Sequence, residues 1–285
     1  MMGSFAVALR SELYLALRGR GLRVLLVIPA AAAVLRIALG ELQSVTEQAR
    51  EALRGGAAVA AVELNAHASF VDGSLTGLIL AYLMIVALAA HGVASDRDTG
   101  IIRHLLIRRV SRVGLVIARF VFLLFVGLVM VAVVLAAAWG CAALFHDFTA
   151  VIEDGYEIIG PAEMREEILR GLGLAIVPLP AAVGFGILIS VCARSATQAV
   201  AVALGLILAF DLFKPLLGDV SLYVYAFYHP SLVDESYLGE VARIVRGFSD
   251  VFVEEGVTSL NVLVPVPETL VFLVIAAAVA ARRRM

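Results

Sequence analysis

The chain has 285 residues, of which 62% are hydrophobic and only 16% charged, with a mean hydropathy of +0.99. The apolar fraction is far above that of an ordinary soluble domain and the charged fraction below it, which excludes a soluble globular protein and points to a polytopic membrane protein. The net charge of -2 carries little information, because in a membrane protein the placement of charge matters more than its sum.

Residues 1–23, MMGSFAVALRSELYLALRGRGLR, spread four arginines through an amphipathic stretch and hold no short apolar core with a small-residue cleavage site. A retained amphipathic N-terminal helix is expected there. Runs long enough to cross a hydrocarbon core of ~30 Å, about 17 to 25 residues each, follow near 24–40, 74–93, 114–143, 171–192, 197–218 and 262–281. The predicted fold is therefore all-α, one transmembrane domain over 1–285 with six transmembrane helices. Prolines 29, 178, 180, 215, 265 and 267 fall within or at the ends of these runs, which membrane helices tolerate when neighbours satisfy the freed carbonyls.

Between the spans, ELQSVTEQAREALR, PAEMREEILRG and DESYLGEVARIVRG read as short surface helices, bounded by Gly55-Gly56, Pro161 and Gly247. The connection between the fourth and fifth spans is only a few residues. Arginine is unevenly divided. The N-terminus, 94–119, 193–196 and 282–285 carry fourteen arginines against three acids, Glu12, Asp96 and Asp98. The segments 41–72, 146–170 and 219–261 carry six arginines against nineteen acids. The positive-inside rule makes the first set cytoplasmic, with both termini inside and a multi-pass protein of the cell membrane. Cys141 and Cys192 then sit at opposite ends of their spans, a bilayer apart and far beyond the ~7 Å Cα limit of a disulfide.

No GxxxxGK[ST], GxSxG, HExxH or CxxC occurs, so the chain is not expected to be an enzyme, to bind a cofactor of its own or to bind nucleic acid. His67, His146 and His229 share no ligand-like spacing, and no metal site is expected. His91 is a lone histidine near a span end. The informative segment is the loop 94–113, ASDRDTGIIRHLLIRRVSRV. Asp96 and Asp98 suit the positive N-terminal end of a helix, and the following run places Ile101, Ile102, Leu105 and Leu106 on one face with Arg103, His104 and Arg108 off it. A short amphipathic helix at the membrane edge fits this pattern; so does a basic loop that only fixes topology.

The stretch SDRDTGIIRHLLIRRVSRVGLVIARF resembles the signature of the type 2 ABC transporter permeases, the ABC-2 membrane protein family. In that pattern an acidic-Arg pair, a Thr-Gly, a Leu-Leu pair, a Ser-Arg and a basic residue opening the third span follow in order. Here these places are taken by Asp96-Arg97, Thr99-Gly100, Leu105-Leu106, Ser111-Arg112 and Arg119. Asp96 stands where Glu is usual, and Arg108-Arg109-Val110 where a Pro often precedes the Ser-Arg. FAVALRSELYLALRGR, with Glu12, resembles the family's N-terminal segment, and ISVCARSATQAVAVAL its junction of the fourth and fifth spans. Tyr228-His229-Pro230 resembles a proline-containing segment that follows the fifth span. Among subgroups, the chain is most similar to the compact permeases of the nitrous-oxide-reductase maturation, bacteriocin-immunity and gliding-motility type.

The resemblance implies a permease subunit of an ATP-binding cassette exporter, working as a homodimer or heterodimer in the lipid bilayer with ATP bound by a separate ABC-type ATPase subunit. It implies that residues 94–113 form a coupling helix. Asp96, Arg97 and the ridge from Ile101 to Leu106 would then contact the ATPase, braced by Glu12. An ion-coupled secondary transporter and a non-transporting membrane scaffold or sensor are the alternatives.

Four charges lie inside the spans, in the outer third of the bilayer: Arg36, Asp211, Lys214 and Glu268. Asp211 and Lys214, three apart on one helix face, can pair locally, which leaves Arg36 and Glu268 as partners across helices. The four read either as a polar outer vestibule or gate or, more simply, as side chains snorkelling to the headgroups. The aromatic run YVYAFYH at 223–229 reads as an interfacial belt.

Overall fold

The computed structural model describes residues 9–14, 18, 20–53, 65–100, 111–149, 151–153, 156–246 and 255–282. Among the described residues, six helical stretches are long and apolar enough to cross a membrane, and the chain is a multi-pass, helical membrane protein. Residues 9–14 are helical. Helices α1 (Arg20–Leu53), α2 (Ala66–Asp98) and α3 (Arg112–Phe145) are single rods of 33 or 34 residues. At a rise of 1.5 Å per residue each is about 50 Å long and overshoots a ~30 Å hydrocarbon core. The first rod corrects one boundary. ELQSVTEQAREAL is not a separate surface helix but the far end of α1, because the single Gly40 does not end the helix and no Gly or Pro interrupts the good helix formers between Glu41 and Leu53.

The fourth crossing is built from α4 (Pro161–Ile176) and α5 (Leu179–Cys192), so PAEMREEILRG is the start of that crossing rather than a helix apart from it. The break falls at Val177–Pro178, where the missing proline N–H ends the ladder and Val177 N–H closes a tighter turn onto Leu174 O at 3.3 Å. The fifth is α6 (Ala196–Leu217), N-capped by Ser195, whose hydroxyl accepts from Gln198 N–H at 3.2 Å. Two 3₁₀ turns, Gly218–Tyr223 and Tyr225–Phe227, and the helix α7 (Tyr237–Ile244) follow. The sixth crossing comprises α8 (Glu255–Leu263) and α9 (Pro265–Arg282). A small antiparallel hairpin, β1 (Val151–Glu153) with β2 (Tyr156–Ile159), is the β structure among the described residues.

Over the most apolar stretch of each crossing, 56% is buried in the second and fourth but only 22% in the first, fifth and sixth. Helices α2 and α5 therefore form the centre. Small residues make that possible. A Cβ on Gly186 would lie 2.6 Å from Ala89 Cβ and 2.9 Å from Val86 O, so α5 touches the backbone of α2. A Cβ on Gly77 would lie 2.5 Å from Val134 Cγ1 and 3.1 Å from Pro29 O, which seats α1 and α3 on the opposite side of α2.

Among the described residues the two larger clusters of buried apolar residues lie at the two ends of the bundle, and a small one joins Phe227, Tyr228 and Val264. Of the larger two, one runs from Tyr82 to Ala94 with Val116–Val126, Leu179–Val191, Ala199, Ala203 and Ala276–Ala280. The other joins Ala33, Ile37 and Phe70–Leu78 to Val131–Ala142, Met164–Ala175 and α7. Near the first cluster lie the arginine-rich segments, near the second the acidic ones. We refer to them as the basic and acidic ends.

Candidate functional site

Helix α2 finishes at the basic end with three consecutive charges, Asp96, Arg97 and Asp98, and successive helical residues project about 100° apart. Each therefore addresses a different neighbour. Asp96 Oδ2 accepts from Arg119 Nη1 of α3 at 2.6 Å. Arg97 donates to the carbonyl of Ala193 at 2.5 Å, and Asp98 Oδ2 accepts from Ala196 N–H at 2.8 Å, adding an anionic acceptor to the Ser195-capped start of α6. Arg119 also meets Glu12 of the N-terminal segment at 3.0 Å, so one guanidinium holds two carboxylates. The side chains of Arg119, Glu12 and Asp96 are 11%, 12% and 17% exposed.

Gly92 makes the seat for this guanidinium: a Cβ there would stand 3.1 Å from Arg119 Cδ, Nε and Cζ. Burial, with the negative Asp96 beside it, raises the Glu12 carboxyl above its ordinary value even though Arg119 pulls it down. Nearby, buried Ser190 accepts from Ala94 N–H at 3.0 Å, Arg112 donates to Ala281 O at 3.2 Å, and Ser111 caps α3 through Gly114 N–H at 3.0 Å. Five segments far apart in sequence thus meet at the two ends of the loop 94–113.

Asp96 and Arg97, expected to contact a partner subunit, have their partners within the bundle. These contacts fix the base of the loop. Thr99 hydrogen-bonds back to Ser95 O, and Gly100 turns the chain out of α2 at a φ of 74°, a left-handed value that favours glycine. Ile101, Ile102, Leu105 and Leu106 lie outside the described residues.

The four intramembrane charges do not form one vestibule. Arg36 pairs with Asp72 at 3.0 Å, and Arg246 joins the same carboxylate. Glu268 accepts from Tyr225 N–H at 2.7 Å, so the expected Arg36–Glu268 pair is replaced by two separate contacts. Asp211 and Lys214 do pair, at 3.1 Å, but they are 5% and 1% exposed and do not snorkel. Lys214 donates to Ser231 Oγ at 2.9 Å, while Asp211 Oδ2 accepts from Leu232 and Val233 N–H at 2.9 and 3.2 Å.

The physical reason is the strap 218–236. Its backbone is not a regular α-helix and folds back onto the bundle, so its N–H groups need acceptors that water cannot supply. Asp211 and Glu268 provide them, and Lys214 neutralises the deeper acid. Tyr225, Phe227, Tyr228 and His229 are accordingly buried rather than forming an interfacial belt. His229 stacks on Tyr82 at 4.9 Å, and the Tyr82 hydroxyl donates to Ala175 O at 2.5 Å.

Arg119 was visible in the sequence only as the basic residue opening the third span, and Gly92, Ser190 and Asp72 carried no signal. An arginine following a short loop that itself opens with an acid is the pattern that could have flagged the pair. Residues 58–232, more than half of the chain, match the family described as Protein of unknown function (DUF2705). The match takes in Asp96 to Arg119, the Asp211–Lys214 pair and most of the strap, but not Glu12 or Glu268. No curated protein matches the chain.

Proposed function

The chain belongs to the DUF2705 family, and we propose that it is the membrane-spanning permease subunit of an ATP-binding cassette exporter, of the ABC-2 type. The basic end is the cytoplasmic face and carries both termini. The loop 94–113 receives a separate ATPase subunit, and the permease works as a dimer in the cell membrane. ATP is bound and hydrolysed on that partner, so this subunit needs no cofactor.

The observation that carries the reading is the junction beneath the loop. Glu12, Asp96 and Arg119 bind the N-terminal segment, α2 and α3 together, while Arg97 and Asp98 grip the turn between α5 and α6. Displacing a loop anchored on such a base moves several crossings at once, whereas a loop that only set topology would need no buried anchors. Coupling of this kind requires a packed element that both sites bias, and the ion-paired base is that element. The contact with the ATPase itself falls to the ridge Ile101, Ile102, Leu105 and Leu106, and Ser111 with Arg112 holds its far end.

The test is copurification with an ATP-binding subunit encoded nearby, followed by ATP hydrolysis with and without the permease. Leu105→Ala should weaken binding of the ATPase, and Asp96→Asn should preserve binding while lowering permease-stimulated hydrolysis. If no ATPase binds, or if both variants stimulate as the parent does, the reading is wrong. The buried Asp211–Lys214 pair favours a second reading, an ion-coupled secondary transporter, since ionisable groups deep in a bundle often mark ion pathways. Transport that persists without ATP and collapses with a protonophore would favour it.

A further inference from the structure

At the acidic end a cavity of about 440 Å³ opens between the start of α2, the last turns of α3 and the first turns of α4. That volume lies within the roughly 300–1,000 Å³ of small-molecule sites. Its walls are apolar and aromatic: Phe70, Trp139, Phe148 and Leu172 contribute, with Trp139 and Phe148 stacked at 6.4 Å. Trp139 and Leu169 are 59% and 63% exposed, which leaves the cavity open sideways, toward the bilayer. Trp139 sits six residues before the end of α3, about 9 Å along the helix, at a depth where tryptophan favours the interface.

Two polar groups face this space. His67 is 6% exposed, and its Nε2 has no hydrogen-bond partner among the described residues. Phe148 packs edge-on against its ring at 4.9 Å, and Asn65, which caps α2 through His67 N–H, holds the neighbouring chain by donating to Thr149 O at 2.6 Å. The second group is Arg165 on the rim, for which no described carboxylate lies at ion-pair distance. A buried donor or acceptor left unpaired costs its full desolvation, so a native one is expected to meet a partner.

The sign of charge selects the ligand. No described Asp or Glu lines the cavity, and Arg165 would repel the quaternary ammonium that an aromatic wall otherwise attracts. We propose that this cavity binds a single-chain anionic amphiphile, its carboxylate or phosphate between Arg165 and His67 and its apolar part against Phe70, Trp139, Phe148 and Leu172. The site is independent of the ATPase and stands whether or not the chain is a permease.

Trp139 is the only tryptophan in the chain, so its fluorescence reports on this cavity alone. The full-length protein in phosphatidylcholine nanodiscs is titrated with 9,10-dibromostearate, whose bromines quench tryptophan on contact. Separate discs carry brominated phosphatidylglycerol or brominated phosphatidylcholine. Saturable quenching by dibromostearate is expected, about tenfold weaker in Arg165→Gln and in His67→Phe, the scale of one lost charge-assisted contact.

Quenching by brominated phosphatidylglycerol with the same dependence on Arg165 identifies a bilayer lipid as the source. Quenching by the free acid alone identifies a soluble amphiphile. Unchanged melting temperatures separate lost binding from lost folding, and Arg165, exposed on the rim, supplies a variant that leaves the core intact. Non-saturating quenching, equal quenching by brominated phosphatidylcholine, indifference to both substitutions, or equal competition by dodecyltrimethylammonium would overturn the assignment.

Discussion

The two ends of the bundle use charge in opposite ways. At the basic end one arginine holds two carboxylates, all three largely buried, and the adjacent charges bind backbone groups of a third element. At the acidic end, outside the buried Asp211–Lys214 pair, the surface arginines are redundant and more open: Arg36 and Arg246, 39% and 42% exposed, share Asp72. A single buried network transmits displacement but fails when one member is lost. Redundant surface pairs tolerate loss and transmit little.

The sharpest way to break this contrast is at Arg119. Arg119→Ala leaves Glu12 and Asp96 facing each other in a site that water barely reaches, and breaking a buried pair costs about 3–5 kcal/mol. A large fall in the thermal midpoint in detergent, or loss of folded yield, is expected; a change of only a few degrees would mean that the cluster is more solvated than its geometry implies. Next comes packing. Gly186→Val pushes a side chain into Ala89 and the backbone of Val86, an overpacking cost of about 1–3 kcal/mol that should appear as early unfolding of the α2–α5 centre in proteolysis.

A smaller effect depends on pH at the acidic end. Burial raises the Asp234 carboxyl from 3.8 to about 6; its Oδ1 accepts from Ser236 N–H at 2.9 Å while Oδ2 lies buried without a hydrogen-bond partner among the described residues. A raised folded-state value means that the folded protein holds this proton more tightly than the unfolded one. The contribution is present below pH 3.8 and is lost as pH rises through about 6. Asp234→Asn should therefore gain thermal stability relative to the parent between pH 4 and pH 7, and parallel melting curves for the two would refute the assignment. The smallest effect belongs to Arg36→Ala. Arg246 keeps Asp72 paired and Arg36 is partly exposed, so the loss should stay below about 1 kcal/mol in the same melts.

Much of the fold was legible because hydropathy and length act locally. The six crossings, the helix start at Pro161 and the short helix within DESYLGEVARIVRG all rest on residues within one or two turns. The site was legible only in part. Asp96, Arg97 and Glu12 could be picked out, but their direction could not, since an acid at a loop mouth points outward to a partner or inward to an arginine with the same local sequence. Arg119 decides between the two, and it meets Glu12 across 107 positions. The roles of Asp211 and Glu268 were hidden for a related reason: they answer backbone N–H groups on the strap, and such groups carry no residue signature.

By itself, then, the sequence determined the membrane class, the six apolar helices and the division of arginine from acid, because each is a property of short runs and of composition. Tertiary structure alone decided which charges are buried, which carboxylate meets which donor, and that Trp139, His67 and Arg165 border one cavity. Those outcomes depend on how close helices can approach, which is set by Gly77, Gly92 and Gly186 and by the angle at which distant segments cross, and no local pattern encodes that distance.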